Sequence, residues 1–114
     1  MSVSFEGIGQ WAATFACAET QEGSMVKISG SGAVADCGDG DAFCGQVLSV
    51  SRCGDACSVQ LGGFVTAAYS GTAPNLGWTA LSADGQGGVK ADAAGRSYLV
   101  AEVDTAAGVV TFVL

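Results

Sequence analysis

The chain has 114 residues and a formal net charge of −7, with 11 acidic residues against four basic ones and no histidine. A single domain is expected at this length, and the acidic balance lacks the basic patch that binding to nucleic acid or to anionic lipid requires. Since histidine is the usual proton shuttle and the commonest metal ligand, its absence argues against most triad, acid–base and zinc-hydrolase mechanisms, so we expect neither an enzyme nor a cofactor.

The first 24 residues are predicted to form an N-terminal arm and a first strand. No run is long and apolar enough for a transmembrane helix, and no basic segment precedes the first hydrophobic residues as in a secretory signal, so we expect synthesis in the cytosol. "MSVSFEGIG" is interrupted by glycine and fits a mobile arm, whereas "WAATFACA" alternates as a strand would. Aromatic residues on such an arm need a surface to cover, which can belong to a neighbouring molecule.

Residues 25–114 are predicted to form a single β domain. Short runs rich in β-forming residues alternate with glycine, aspartate and serine turns at spacings typical of an all-β sandwich or barrel. Asp84-Gly85 is the strongest hairpin signal, because glycine accepts a positive φ. We predict strands over 25–29, 33–36, 43–51, 56–61, 64–69, 77–82, 88–91, 97–103 and 109–114.

A weak internal repeat relates residues 25–61 to residues 78–114. Val34 aligns with Val89 and Phe43 with Tyr98 at one offset; after a two-residue shift in the next turn, residues 58–61 align with residues 111–114. Each unit would comprise a hairpin, a turn, a long strand and a return strand. The sequence therefore predicts a small, glycine-rich β-barrel or β-sandwich of two related β units, with an extended N-terminal arm.

The five cysteines are predicted to be reduced, because their number is odd and no secretory signal precedes them. A zinc site built from Cys37, Cys44, Cys53 and Cys57 is disfavoured, since none of them forms a C-x2-C pair. The repeat places Cys44 over Leu99 and Cys57 over Val110, which are core positions that suit a small hydrophobe. A disulfide between Cys53 and Cys57 on oxidation stays open and would leave Cys17 unpaired.

The stretch "CGDGDAFCG", residues 37–45, has the composition of a metal-binding loop. Asp36, Asp39 and Asp41 offer oxygen ligands for calcium, but the next acidic residue, Asp55, is too distant to complete a known calcium loop. The alternative is a turn in which aspartate and glycine redirect the chain into the strand that begins at Phe43. We therefore predict no metal site.

Three segments carry a family resemblance: "EGSMVKISGSGAVADCGDGDAFCGQVLSV", "GDACSVQLGGFVTAAYSG" and "GWTALSADGQGGVKADAAGRSYLVAEVD". Together they resemble the small head decoration, or capsid cement, proteins of tailed phages. The likeness covers roughly residues 23–114 and lies in turns and strand starts. The matching residues are Gly23, Val26, Asp41, Phe43, Gly45, Val47, Gly54, Asp55, Val59, Gln60, Leu61, Gly63, Leu81, Asp84, Gly85, Gly87 and Val89.

The resemblance implies a non-catalytic structural virion protein that binds the outer surface of an assembled phage capsid and stabilises it. Its partners would be the major capsid protein and further copies of itself, with a homotrimer favoured. It would be made in the bacterial host cytoplasm and then reside on the virion. The residues predicted to contact the capsid or other copies are Phe5, Ile8, Trp11, Phe15, Tyr69, Pro74 and Trp78.

A carbohydrate-binding β module is the alternative function. Trp11, Tyr69 and Trp78 would then form a platform on which sugar rings stack. Aromatic residues of a small β domain more often belong to its core, so this alternative requires those side chains to be exposed.

Overall fold

The computed structural model describes residues 10–18 and 20–114, and this part of the chain is all β. The predicted fold class is confirmed: ten strands, without a helix among the described residues, form two closed five-stranded barrels. The strands are β1 (Trp11–Ala16), β2 (Met25–Gly30), β3 (Ala33–Asp36), β4 (Gly45–Val50), β5 (Ala56–Gly62), β6 (Phe64–Ser70), β7 (Gly77–Ala83), β8 (Val89–Ala91), β9 (Arg96–Asp104) and β10 (Val109–Val113).

The first barrel contains β1 to β5 in the order β1-β3-β2-β4-β5. β1 closes it, because this strand runs antiparallel to β5 along its whole length and meets β3 in parallel at Ala16 and Ala33. Residues 56–59 of β5 alternate between half-buried and buried, with Cys57 and Val59 inside the barrel, and the next residue, Gln60, is also buried. That alternation is what a strand with one face on a core requires.

The second barrel repeats this topology with β6 to β10. β6 is parallel to β8 and antiparallel to β10, as β1 is to β3 and β5. The two related β units predicted from the sequence are thus present, and each also includes the strand predicted before it, β1 in the first barrel and β6 in the second. Along the chain, a single residue separates the two barrels: Gly63, whose φ is 88°.

Matching β-bulges fix how the two units correspond. In the first barrel, β4 has one extra residue between Val47 and Ser49, which pair with two consecutive residues of β5. In the second barrel, β9 likewise has one extra residue opposite the consecutive residues Thr111 and Phe112 of β10. Aligning the bulges confirms the predicted match of residue 58 with Thr111. The first unit has two more residues than the second, and these lie in the loop before β4 instead of the turn after β4. The predicted matches of Phe43 with Tyr98 and of Cys44 with Leu99 are therefore wrong by two residues.

The two barrels have cores of different character. The first core is small and built from Val26, Val34, Val47, Cys57 and Val59. The second contains an aromatic cluster, in which the Phe43 ring stacks on Tyr98 with centroids 5.0 Å apart and lies 5.8 Å from Phe112. Phe43 belongs to the β3–β4 loop of the first unit, so the first unit contributes directly to the core of the second.

The β3–β4 loop, residues 37–44, also joins the barrels through backbone hydrogen bonds. The N–H of Gly40 donates to the carbonyl of Ala83 at 2.8 Å, and the N–H of Ala83 donates to that of Asp41 at 2.9 Å. The predicted hairpin at Asp84-Gly85 is present, with φ of 80° at Gly85. A Cβ on this glycine would lie 2.9 Å from the Asp39 nitrogen, so the turn and the junction both require glycine here.

Candidate interaction surface

Four apolar side chains form a row across the outer face of the second barrel. Trp78 of β7 lies opposite Leu99 of β9, Leu99 opposite Val113 of β10, and Val113 opposite Phe64 of β6. Cross-strand partners share one face of a sheet, so the four side chains lie side by side. We call Trp78, Leu99, Val113 and Phe64 the apolar row.

The alternation of each strand explains why the row faces outward. Tyr98 and Val100, on either side of Leu99, are buried in the core. Phe112, the residue before Val113, is buried there as well. Leu99, Val113 and Phe64 are half-buried, whereas Trp78 is 75% exposed. Folding the barrel does not require an indole at that position, so the exposed tryptophan indicates a surface with another role.

The apolar row is free of charge in a chain whose net charge is −7. The nearest charged residues along β9 are Arg96 and Glu102, both exposed and three positions to either side of Leu99. On the Glu102 side the next outward pair is polar, with the hydroxyls of Thr66 and Thr111 hydrogen-bonded at 2.8 Å. The surface therefore has an apolar centre with polar and charged residues at its margin, the usual anatomy of a protein interface.

Trp11 lies beside the Phe64 end of the row. It opens β1 opposite Gly62, and its indole packs so closely on this glycine that a Cβ there would overlap it. Gly62 precedes Phe64 by two residues, and Trp11 is 59% exposed. Of the sequence-predicted contact residues, Trp11 thus lies on the first barrel near its junction with β6, and Trp78 lies on the second barrel.

The other predicted contact residues have different surroundings. Phe15 is half-buried and packs against the first core, and Tyr69 packs in the same way against the second. Pro74 is buried and lines an open groove of about 590 Å³ together with Val103. The predicted contacts Phe5 and Ile8 lie outside the described residues.

Sequence reasoning missed the aliphatic members of this surface. Leu99 and Val113 resemble core residues in composition, and only the pairing register shows that they face outward. Leu76, which is 68% exposed in the loop before β7, was also missed. Its position between Pro74 and Trp78, just before a strand, was the available signal.

The aspartates considered for calcium are engaged in turns and ion pairs. The Asp41 carboxylate accepts hydrogen bonds from the Lys27 ammonium and the Gly38 N–H, which hold its pKa below the ordinary value of 3.8. Asp39 pairs with Lys90 at 2.8 Å. Within residues 10–18 and 20–114, histidine, cysteine, aspartate and glutamate side chains form no group of three or more that could hold a metal ion.

The cysteines considered for zinc are dispersed. Cys37 is buried in the second core, Cys44 and Cys57 pack in the first, and Cys53 is exposed on the turn before β5. Burial raises the pKa of both Cys37 and Cys57 to about 11, and that of Cys44 also lies above its ordinary value. These three thiols are therefore protonated near neutral pH and act as small hydrophobes.

Comparisons with known proteins do not assign the chain to a family. No protein-family model matches the chain, and no curated protein sequence is significantly similar to it. In the described part of the structure, no helix is long and apolar enough to span a bilayer.

Proposed function

We propose that this protein is a structural virion protein that binds the outer surface of an assembled phage capsid and stabilises it without catalysis. The observation that carries the proposal is the apolar row, which presents Trp78 at 75% exposure on a charge-free strip of a strongly acidic chain. Protein interfaces concentrate their binding energy in such aromatic anchors, surrounded by a polar rim. The resemblance to capsid cement proteins supports the same function.

The architecture suits a rigid adhesive module. The strands of each barrel close into a ring, and side chains such as Trp78 and Ile28 are exposed on the outside of these rings. Contacts with other proteins therefore come from outward side chains, loops and the N-terminal residues. Binding only to the assembled lattice stabilises that lattice by mass action, and many copies on one particle convert modest contacts into high avidity.

A charge-free contact strip also suits self-association. Two copies, each with a net charge of −7, repel one another overall, and an uncharged contact surface avoids adding like charges in close contact to that repulsion. From the resemblance to capsid cement proteins, we propose a homo-oligomer, with a trimer favoured, bound to the major capsid protein. The protein would be made in the bacterial cytoplasm and reside on the capsid surface.

The test is a binding experiment with capsids of the phage or prophage that encodes the chain, prepared without this protein. We expect the wild-type protein to co-sediment with these capsids and to raise the temperature at which they release DNA. Trp78→Ser should weaken binding about 10-fold or more, because a buried aromatic anchor contributes a hot-spot share of affinity. The matched control is Ile28→Ser, which alters a residue of the first barrel that is 55% exposed and should bind normally. A wild-type protein that stays monomeric and ignores the capsids would refute the proposal.

Carbohydrate binding remains a second candidate, favoured by the exposure of Trp11 and Trp78. Exposed indoles can stack on sugar rings. Tyr69, the third member of the predicted platform, instead packs against the second core. A glycan array distinguishes the candidates: a carbohydrate-binding module gives glycan signals that Trp78→Ser abolishes, whereas a capsid protein gives none.

A further inference from the structure

Cys17 and Cys57 lie on neighbouring chain segments of the first barrel, diagonally across one pair of strands. Phe15 on β1 is opposite Cys57 on β5, and the N–H of Cys17 donates to the Asp55 carbonyl at 3.1 Å. Cys17 is thus two residues beyond the partner of Cys57, on the same face of the sheet. Diagonal neighbours have Cα atoms about 7–8 Å apart with their Cβ atoms closer. A disulfide needs Cα atoms within about 6.8 Å, so a small shift of the segment after β1 suffices.

The two side chains share one environment, which Cys53 does not. Cys57 is buried in the first core, and the half-buried Cys17 packs against the same core. After burial, interaction with the Cys17 side chain is the next cause that raises the pKa of Cys57. Cys53, the partner considered from sequence, is exposed on its turn. The fold therefore brings Cys57 toward Cys17.

Open clefts lie beside both cysteines, of which Cys17 is partly exposed and Cys57 is 2% exposed. Cys17 lines a cleft of about 280 Å³ between β1 and β3, with small neighbours such as Ala16 and Ala33. β1 and β3 pair at a single residue position, so little strand pairing closes the barrel between them. Cys57 lines a second open cleft of about 220 Å³ whose wall includes Ser49 and Ser58.

We propose that Cys17 and Cys57 form a modification site that reacts with small-molecule disulfides of the oxidised-glutathione class and closes into an internal disulfide. The Cys17 thiol loses its proton to solvent, and its thiolate attacks one sulfur of the reagent, breaking the S–S bond and expelling one thiolate. Cys57 then loses its proton and attacks the Cys17 sulfur of the mixed disulfide, expelling the second. Two electrons pass from the cysteine pair to the reagent, which leaves as two thiols.

The consequence is a covalent clip on the strand that closes the first barrel. β1 meets β3 at one residue pair only, so its attachment depends on β5. A Cys17–Cys57 bond would hold β1 on β5 at the Ala16 end of the strand, beside its single contact with β3. This inference does not depend on the proposed capsid function, and its test uses the isolated protein.

The experiment uses the full chain with Cys53→Ser, which removes the exposed competing thiol. The reduced protein is incubated with oxidised glutathione at mildly alkaline pH and its intact mass is measured. We expect the loss of two hydrogen atoms, reversed by reductant, and a higher melting temperature for the oxidised form. Adding Cys17→Ser should abolish the loss of two hydrogens, whereas adding Cys44→Ala should preserve it.

Peptide mapping identifies the bond. In the wild-type protein, trypsin combined with a protease that cleaves before aspartate cuts between Gly54 and Asp55 and so separates Cys53 from Cys57. We expect a linked peptide pair that contains Cys17 and Cys57. A bond from Cys57 to Cys44 or Cys53, or stable glutathione adducts without an internal bond, would overturn the proposal. Repeating the oxidation in urea should scramble the linkages; a Cys17–Cys57 bond that still predominates there would show that the fold does not direct it, and would also overturn it.

Discussion

Replacement of Phe43 by alanine tests whether the loop of the first unit completes the core of the second. The side chain is 6% exposed, and its ring lies 5.0 Å from Tyr98 and 5.8 Å from Phe112 between centroids. Truncating a buried phenylalanine to alanine costs about 3–5 kcal/mol, of which each aromatic pair accounts for about 0.5–1.5 kcal/mol. Since domains of this kind are stable by about 5–15 kcal/mol, we expect Phe43→Ala to lose about a fifth or more of the free energy of unfolding.

Urea unfolding followed by far-UV circular dichroism is the appropriate assay. Tryptophan fluorescence would respond weakly, because Trp11 and Trp78 are largely exposed in the folded state. Phe43→Leu is the matched control, since it keeps apolar bulk and should cost clearly less than alanine. A double-mutant cycle with Tyr98→Leu should give a coupling of about 0.5–1.5 kcal/mol. A cost under about 1 kcal/mol for Phe43→Ala, or zero coupling, would refute the packing described.

Three further changes test the junction and the strand packing, each by its urea midpoint. Lys27 holds the pKa of Asp41 below 3.8, so the stabilisation due to the carboxylate is present above about pH 4 and is lost as pH falls through the folded-state pKa. The difference in urea midpoint between wild type and Asp41→Asn should therefore vanish in acid. The same difference should shrink in high salt, because the Lys27–Asp41 pair is exposed. Gln60→Glu should cost about 1–3 kcal/mol or more at pH 7, because the buried amide donates to two backbone carbonyls that a carboxylate would repel; an unchanged midpoint would contradict this. Gly45→Ala should lower the free energy of unfolding by about 1–3 kcal/mol, because the added Cβ overlaps a β5 carbonyl. The control Gly30→Ala, with no atom near the added Cβ, should change it by no more than about 0.5 kcal/mol. Equal effects of the two substitutions would show that the close packing at Gly45 is absent.

The strands could be predicted because their signals are local. A positive φ at Gly85 and the alternation along β5 depend on a few neighbouring residues, and both are visible in the sequence. The closed topology depends on pairings between distant segments, such as the parallel contact of Ala16 with Ala33. No local pattern encodes which strand closes a barrel, so the sequence left barrel and sandwich as alternatives.

The candidate surface was harder to predict, because it depends on pairing register. Choosing exposed contacts by aromatic character selected Trp78, but it also selected Phe15 and Tyr69, which pack against the cores. Leu99 faces outward only because Tyr98 and Val100 face inward. A one-residue change of register would reverse that assignment, so composition alone could not provide it.

The stretch "CGDGDAFCG" shows how one local difference joins two repeated units. In the second unit the equivalent connection is a tight turn, in which Asp92 accepts hydrogen bonds from the N–H of Ala94 and the hydroxyl of Ser82. In the first unit the extra residues let the loop reach the neighbouring barrel and place Phe43 in its core. A contact between unlike surfaces of repeated units can propagate without end unless something closes it. The short turn of the second unit has no counterpart of the Phe43 extension, so the second unit does not repeat the contact that the first unit makes with it.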